Sequence, residues 1–444
     1  MDLPHEHVDA AAFDLTCDGT NLRDRLGRLR LLRGANVSGR CKAPPFLPFD
    51  DPTWFDVLAD WGMNVVRLLV MWEAIEPERG HYDHGYLARV AQLVRAAGQR
   101  GLAVIVDFHQ DLFSRSFGGD GAPAWATRPG RRRANGRSWF WHYGISSGVR
   151  ASFDAFWRDQ GGVRSSFVAA VAVTMRALAD EPAVIGYDLF NEPMGRLRDL
   201  VRGRFERDAL SAFHRDCIAL RDREAPGRLL LVEPTPLAAF GAPTALAELT
   251  GDALVYAPHL YDATAILASR FVPRLSTFPP SLARVKATAS AWRRPLFVGE
   301  FGVLGGIVGA AAMIEDQCAR LDRAWASWAV WHFNPTAQDW NDEDASIVLP
   351  GGDERPWTAA LVRPWPRALA GTPIELETAS ARPWTLRYRA EGDAATEVVV
   401  PPRWLAGRPL ALTVEGADAD HDESTGLLRL RAEPGGTVRV VLRR

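Results

Sequence analysis

The chain has 444 residues, 47% of them hydrophobic and 24% charged, with a net charge of −2. That composition belongs to a soluble globular protein long enough for two or three domains. It offers no excess of basic charge for nucleic acid, and no window approaches the roughly 18 uninterrupted apolar residues of a membrane span. Lysine is nearly absent: Lys42 and Lys286 are the only two, and arginine supplies the rest of the 52 basic residues.

The four cysteines, Cys17, Cys41, Cys217 and Cys318, form no CxxC pair and read as free thiols rather than a disulfide framework or zinc site. The amino terminus, Met1-Asp-Leu-Pro-His-Glu-His, lacks a basic stretch followed by an apolar run. A cytoplasmic protein is the simplest expectation; a mature secreted form would look the same.

Residues 1–30 are mixed and charged, with a strand start at Phe13-Asp-Leu and a turn at Asp18-Gly-Thr; they are expected to form a flap over the barrel bottom. Leu31 to Val37 is the first apolar strand, followed by the breaker-rich loop Ser38 to Pro45 that carries Lys42. Asp51 to Gly62 reads as a helix with Asp51 as N-cap, Pro52 in the first turn and Gly62 just past the end. Asn64 to Val70 is strand two and carries Arg67; His84 to Gln99 has helical periodicity; Ala103 to His109 is strand three.

Gln110 to Arg150 is long and polar, with the arginine run Arg131 to Arg133 and the aromatics Trp125, Trp139, Phe140, Trp141 and Tyr143. Such a loop suits a lid or binding role. The aromatics either edge an apolar slot or pin the loop to the barrel; the arginines either meet an anionic surface or form a solvated turn. A helical region from Phe153 to Ala179 leads to strand four, Val184 onward, which ends in Asn191-Glu192-Pro193. Proline stops the ladder there, placing Glu192 at a strand's carboxyl end. Strand five spans Arg228 to Glu233, after a helix from Asp208 to Asp222. Strand six is Leu254 to Tyr261, strand seven Pro295 to Glu300, and strand eight Ser327 to Asn334, with a helix at Ala310 to Ala324 before it.

Eight strands alternating with helices predict a (β/α)8 barrel (TIM barrel) over residues 1–365. Beyond Arg363-Pro-Trp-Pro-Arg367 the texture changes to short strands and turns. Residues 366–444 are therefore expected to form a small all-β sandwich, with Asp418 to Ser424 as one of its turns.

Two glutamates at matching strand ends, Glu192 and Glu300, suit the two carboxyl groups of a retaining glycosidase, which stand about 5–5.5 Å apart. The competing reading makes them salt-bridged rim residues. His109 and Asp111 with His259 also permit a metal reading, but Asp107-Phe-His-Gln-Asp111 lacks the His-x-His spacing of barrel metallohydrolases, and neither a metal nor another cofactor is expected.

Asn191-Glu192-Pro193 and Gly299-Glu300-Phe301-Gly302 resemble the two catalytic segments of glycoside hydrolase family 5. That resemblance implies Glu192 as acid/base and Glu300 as nucleophile. It also implies Arg67 and Tyr261 tuning Glu300, Asn191 on the sugar 2-hydroxyl, His109 beside the sugar, His259 supporting the acid and Trp331 beneath the sugar. The segments Lys42-Ala-Pro-Pro45, His109-Gln-Asp111, Gly118 to Pro123, Gly186 to Asn191 and Asp339 to Asp344 resemble the endoglycoceramidase and glycosylceramidase branch. There Lys42 and Asp111 would hold hydroxyls of the innermost sugar, the substrate would be a glycosphingolipid, and contact with a membrane or micelle surface would follow. An exo-acting glucosylceramidase or steryl glucosidase, a plain glucanase, and a glycan- or lipid-binding protein on a retired barrel are the alternatives.

Overall fold

The computed structural model describes residues 13–130 and 140–444. The expected arginine run Arg131 to Arg133 and Trp139 lie outside the described residues. Eight parallel strands make one sheet: β1 Arg33–Val37, β2 Val65–Met71, β3 Ala103–His109, β4 Val184–Asp188, β5 Leu229–Val232, β6 Leu254–Tyr256, β7 Phe297–Val298 and β8 Ser327–Phe333. The order runs β7-β8-β1-β2-β3-β4-β5-β6. A parallel bridge between Tyr256 and Leu296 joins the last pair and closes the barrel. Every residue of β2, β3 and β8 is buried, as a strand covered on both faces requires.

The sequence reading placed these strands within a few residues and missed some helix ends. The first helix runs Trp54–Asp60, later than Asp51 implies. The Asp51 side chain instead accepts the backbone N–H of Thr53 at 2.9 Å and caps a turn, while Leu58 and Trp61 turn inward and Gly62 takes φ +77° just past the end. The helical region expected from Phe153 breaks into Ser147–Trp157 and Val163–Ala177, because Asp159, Gly161 and Gly162 adopt left-handed backbone between them. Before Ser211–Glu224 the backbone widens into a π-turn at Glu206–Leu210.

The β-rich part has two antiparallel sheets. One is four-stranded: Gly371–Glu377, Trp384–Ala390, Thr437–Arg443 and Ala411–Glu415. The other holds Trp365–Leu369, Thr396–Val399, Leu427–Arg431 and Asp418–Asp422, and it continues into three amino-terminal strands. Leu29–Arg30 pairs with Leu369 and Ala368, and Thr16–Asp18 and Asn21–Arg23 extend the sheet outward. Of the stretch expected to form a flap, residues 16–30 thus contribute strands to this sheet. Leu29 and Leu31 share a core with Trp365, Trp384, Leu428 and Val440.

Two segments read as linker or turn are strands. Trp365–Leu369 tolerates Pro366 because its register shifts there. Asp418–Asp422 is an exposed edge strand whose acids face arginines, Asp418 opposite Arg431 and Asp420 opposite Arg429. The cysteines are free, three of them buried. Among the described residues no helix is long and apolar enough to cross a membrane.

Candidate active site

The site is built at the carboxyl ends of the barrel strands, where βα loops converge. At its centre is Arg67 on β2, fully buried, its guanidinium reaching across the barrel. It donates to Asn36 on β1 (2.9 Å), to Asp188 on β4 (2.9 and 3.1 Å), to Asn191 (2.9 Å), to Glu233 just past β5 (3.0 Å) and to Glu300 just past β7 (3.1 Å). Asp107 of β3 lies 3.0 Å away. Burial opposes this charge, but the surrounding carboxylates hold its pKa well above the ordinary arginine value. One rigid fork therefore sets the relative positions of five strands.

Glu300 accepts from Arg67 on one oxygen and from the Tyr261 hydroxyl on the other, at 2.8 Å. Both of its oxygens are held in place by donors. Glu192 stands differently. Burial pushes its carboxyl above the usual range, with His259 opposing and the Glu300 carboxylate adding to the rise. His259 Nδ1 lies 2.9 Å from Glu192 Oε1 and 3.4 Å from Glu300 Oε2. One carboxylate oxygen of each glutamate and a His259 nitrogen all fall within 4.8 Å of one another. Glu192 has φ +45°, an unusual value for a residue with a side chain, and its backbone N–H is held by Glu233 Oε2 at 2.8 Å. Asn191 is fixed between Arg67 and the carbonyl of Gln110.

A second cluster borders the first. His109 ends β3, with Nδ1 2.7 Å from Asp107 and Nε2 3.3 Å from Asp111. Burial opposes its charge, yet Asp107 carries its pKa up to about 10. Its ring stacks on Trp331 of β8, centroids 5.3 Å apart and planes 12° apart. The Lys42 ammonium lies 2.5 Å from Asp111 and 3.6 Å from Asp120, between the rings of Trp331 (4.8 Å) and Trp340 (4.4 Å). Asp111 and Asp120 respond oppositely to burial: Lys42 and His109 outweigh it at Asp111, near 2, whereas Asp120 rises to about 7. Ligand atoms of His109, Asp111 and Asp120 approach within 4.8 Å, a spacing a metal could use, but the lysine supplies the cation there.

All ten residues expected from the sequence meet in these two adjoining clusters. The sequence reading missed Asn36, Asp107, Asp188 and Glu233, which neutralise and orient Arg67, and Asp120 and Glu343 around Lys42 and Trp331. Glu343 accepts the Trp331 indole N–H at 3.3 Å, and burial pushes its pKa up to about 8. An acid just inside or beyond an apolar strand (Asp107, Asp188, Glu233) was the available signal. The loop aromatics divide. Trp125 packs on Trp72 and donates to the Glu76 carbonyl, and Tyr143 is buried with its hydroxyl on the Leu112 N–H, so both pin the loop. Trp141 stands 68% exposed.

The profile of the cellulase family, glycosyl hydrolase family 5, matches residues 33–337, the span from β1 to just past β8. The chain belongs to glycosyl hydrolase family 5. Within this family it is 29% identical over 384 residues to endoglycoceramidase I of Rhodococcus hoagii, covering 81% of this chain and 73% of that one. Endo-glycoceramidase II from Rhodococcus sp., solved as a lactosyl-enzyme intermediate, superposes with a TM-score of 0.81 at 29% identity over 95% of this chain and 99% of that one. Its ganglioside GM3 complex gives 0.83 at 28% identity, covering 96% and 99%. These superpositions extend through the β-sandwich as well as the family 5 barrel.

Proposed function

We propose that this family 5 enzyme is a retaining β-glycosidase that cleaves the linkage between glycan and ceramide in glycosphingolipids, with Glu300 as nucleophile and Glu192 as acid/base. The observation that carries the roles is the contrast between two carboxyls within 4.8 Å of each other, one held by Arg67 and Tyr261 and one pushed toward its neutral form. Oxygens this close favour the roughly 5–5.5 Å carboxyl spacing of double displacement over the roughly 6.5–9.5 Å of an inverting enzyme.

Glu300 attacks the anomeric carbon as Glu192 gives its proton to the glycosidic oxygen, and the lipid leaves as an alcohol. Glu192, now a carboxylate, takes a proton from water. The resulting hydroxide-like oxygen attacks the anomeric carbon, the ester bond to Glu300 breaks, and both residues return to their starting states. Asn191 meets the sugar 2-hydroxyl, the Trp331 face floors the innermost sugar with His109 stacked behind it, and Lys42 and Asp111 hold its outer hydroxyls.

The lipid side of the substrate fits the rim. Trp141, Ile145, Val201, Leu267, Leu275 and Val308 stand exposed on short helices and loops in the segments that follow β3, β4, β6 and β7, which leave the strands at the end of the barrel that holds the site. Such an apolar rim supports peripheral contact with a membrane or micelle that presents the ceramide.

The test is product analysis with glucosylceramide, galactosylceramide, lactosylceramide and a cellulose oligomer side by side. Release of intact lactose from lactosylceramide is expected. Release of monosaccharide only, or turnover of the oligomer only, overturns the substrate. Glu300→Gln should abolish turnover of every glycoside, and Glu192→Gln should spare those with good leaving groups; full activity of Glu300→Gln overturns the assignment of roles.

A further inference from the structure

We propose that Glu233, at the end of β5, is a positioning residue for this reaction, holding the backbone of Glu192 through one oxygen and fixing the protonation of His259 through the other. The inference rests on the reading of Glu192 as the acid.

The geometry is closed and dry. Glu233 is 2% exposed. Its Oε2 accepts the Glu192 backbone N–H at 2.8 Å, at the residue whose φ of +45° departs from the strand's conformation. Its Oε1 lies 3.0 Å from Arg67 Nη2 and 3.3 Å from His259 Nε2. The Glu233 main chain is anchored as well, since His214 Nε2 donates to its carbonyl at 2.9 Å. His259 therefore has a carboxylate at each ring nitrogen: Glu233 at Nε2, Glu192 and Glu300 at Nδ1.

An imidazole so placed keeps one proton on Nε2, facing the Glu233 carboxylate 3.3 Å away, and presents Nδ1 to the acid. A single further proton then lies between Nδ1 and Glu192 Oε1, and the pair titrates as a unit. The negative charge of Glu233 makes that proton harder to lose. It keeps Glu192 supplied with the proton it gives to the glycosidic oxygen, while never itself touching the substrate. A left-handed glutamate would swing away from the sugar if its N–H were released, so Glu233 acts on the acid twice, at its backbone N–H and, through His259, at its Oε1. The charged and titratable groups facing this assembly are Arg67 from β2, Asp107 and Asp111 from β3 and its loop, Asp188 and Glu192 from β4 and its loop, His214 from the helix Ser211–Glu224, His259 and Tyr261 from beyond β6 and Glu300 from beyond β7.

The experiment compares Glu233→Gln and Glu233→Asp with the parent enzyme in the pH profile of kcat/KM. Removing the charge lets the shared proton go at lower pH, so the alkaline limb of Glu233→Gln moves down by about one unit, which makes the rate above that limb about tenfold lower. Glu233→Asp, which keeps the charge, holds the limb in place even if kcat falls. A limb that does not move down in Glu233→Gln overturns the proposal and leaves Glu233 as packing. Should Glu233→Gln not fold, nitrogen NMR of His259 in the parent enzyme decides: Nε2 should stay protonated on both sides of the limb while Nδ1 titrates. Loss of the Nε2 proton first overturns the proposal. If Glu192→Gln fails to spare good leaving groups, the underlying reading of the acid fails instead, a result independent of the Glu233 variants.

Discussion

Gly299 immediately precedes Glu300, and a methyl group added there has a calculable effect. A Cβ at this position would sit 2.9 Å from His259 Nε2 and 3.0 Å from its Cδ2. Carbon and nitrogen at rest keep roughly 3.5–4.0 Å, so the ring must retreat by about 0.5–1 Å. His259 Nδ1 starts 2.9 Å from Glu192, and a displacement of that size towards or away from it takes the contact out of the roughly 2.7–3.2 Å range of a good hydrogen bond. Misplacing a reacting group by about 1 Å lowers rates on the order of 100-fold. Overpacking of this kind destabilises by about 1–3 kcal/mol. Gly299→Ala should therefore remain folded, with a modestly lowered melting temperature, and lose roughly 100-fold in kcat on glycosides whose leaving group needs a proton. Stopped-time assays on a lipid glycoside and on an activated aryl glycoside separate the two, because the aryl substrate should lose far less. Turnover of the lipid glycoside within about threefold of the parent would refute the claim that His259 is wedged in place and that its position governs the acid.

Lys42→Met strips the cation from between Asp111 and Asp120, and breaking a buried pair in this way should destabilise by roughly 3–5 kcal/mol in urea unfolding at pH 7; a loss below about 1 kcal/mol would contradict the buried-pair reading. Arg67→Lys replaces a fork that donates to five side chains with a point charge, so it should lower the melting temperature sharply as well as activity, and an unchanged melting curve would be inconsistent with its place at the barrel's centre. Glu343 binds its proton up to about pH 8 in the folded chain, against an ordinary value of 4.5. The stability this proton contributes is fully present below about pH 4.5 and is lost as pH rises through 8. Glu343→Gln should make the urea midpoint fall less between pH 5 and 8 than in the parent; an equally steep fall would remove Glu343 as its source.

The barrel was legible because fully buried parallel strands are apolar runs, and alternation with helices leaves few other architectures. The two strand-end glutamates were legible because Pro193 and the glycines about Glu300 mark where strands stop. The rest of the polar centre depended on which strands become neighbours across the barrel. Asp107 and Asp188 each look like a single acid in an apolar run until Arg67 is seen between them. Glu233 looks like a rim residue until the N–H of Glu192 is found on it. The tryptophans of β8 and its approach illustrate the same limit at close range: Trp328 packs in the barrel against Phe301, Trp325 packs against the sandwich core, and only Trp331 reaches the site. Their spacing is regular, and only their surroundings distinguish them. The sandwich was read too short for a related reason. Leu29–Arg30 is too brief to announce itself, and its partner strand lies more than 300 residues away.

That pairing also dictates an order of assembly. Leu29 and Leu31 emerge early in synthesis, while Trp365 and Leu369, on which they close, emerge only after the whole barrel. Leu29 and Leu31 must wait without their partners while all eight barrel strands are made, and contacts of such separation form slowly. The sandwich is thus a clasp fastened last, across both flanks of a finished barrel. A chain stopped just after Glu343 would contain every residue of the active site and still leave Leu29 and Leu31 without their partner strand.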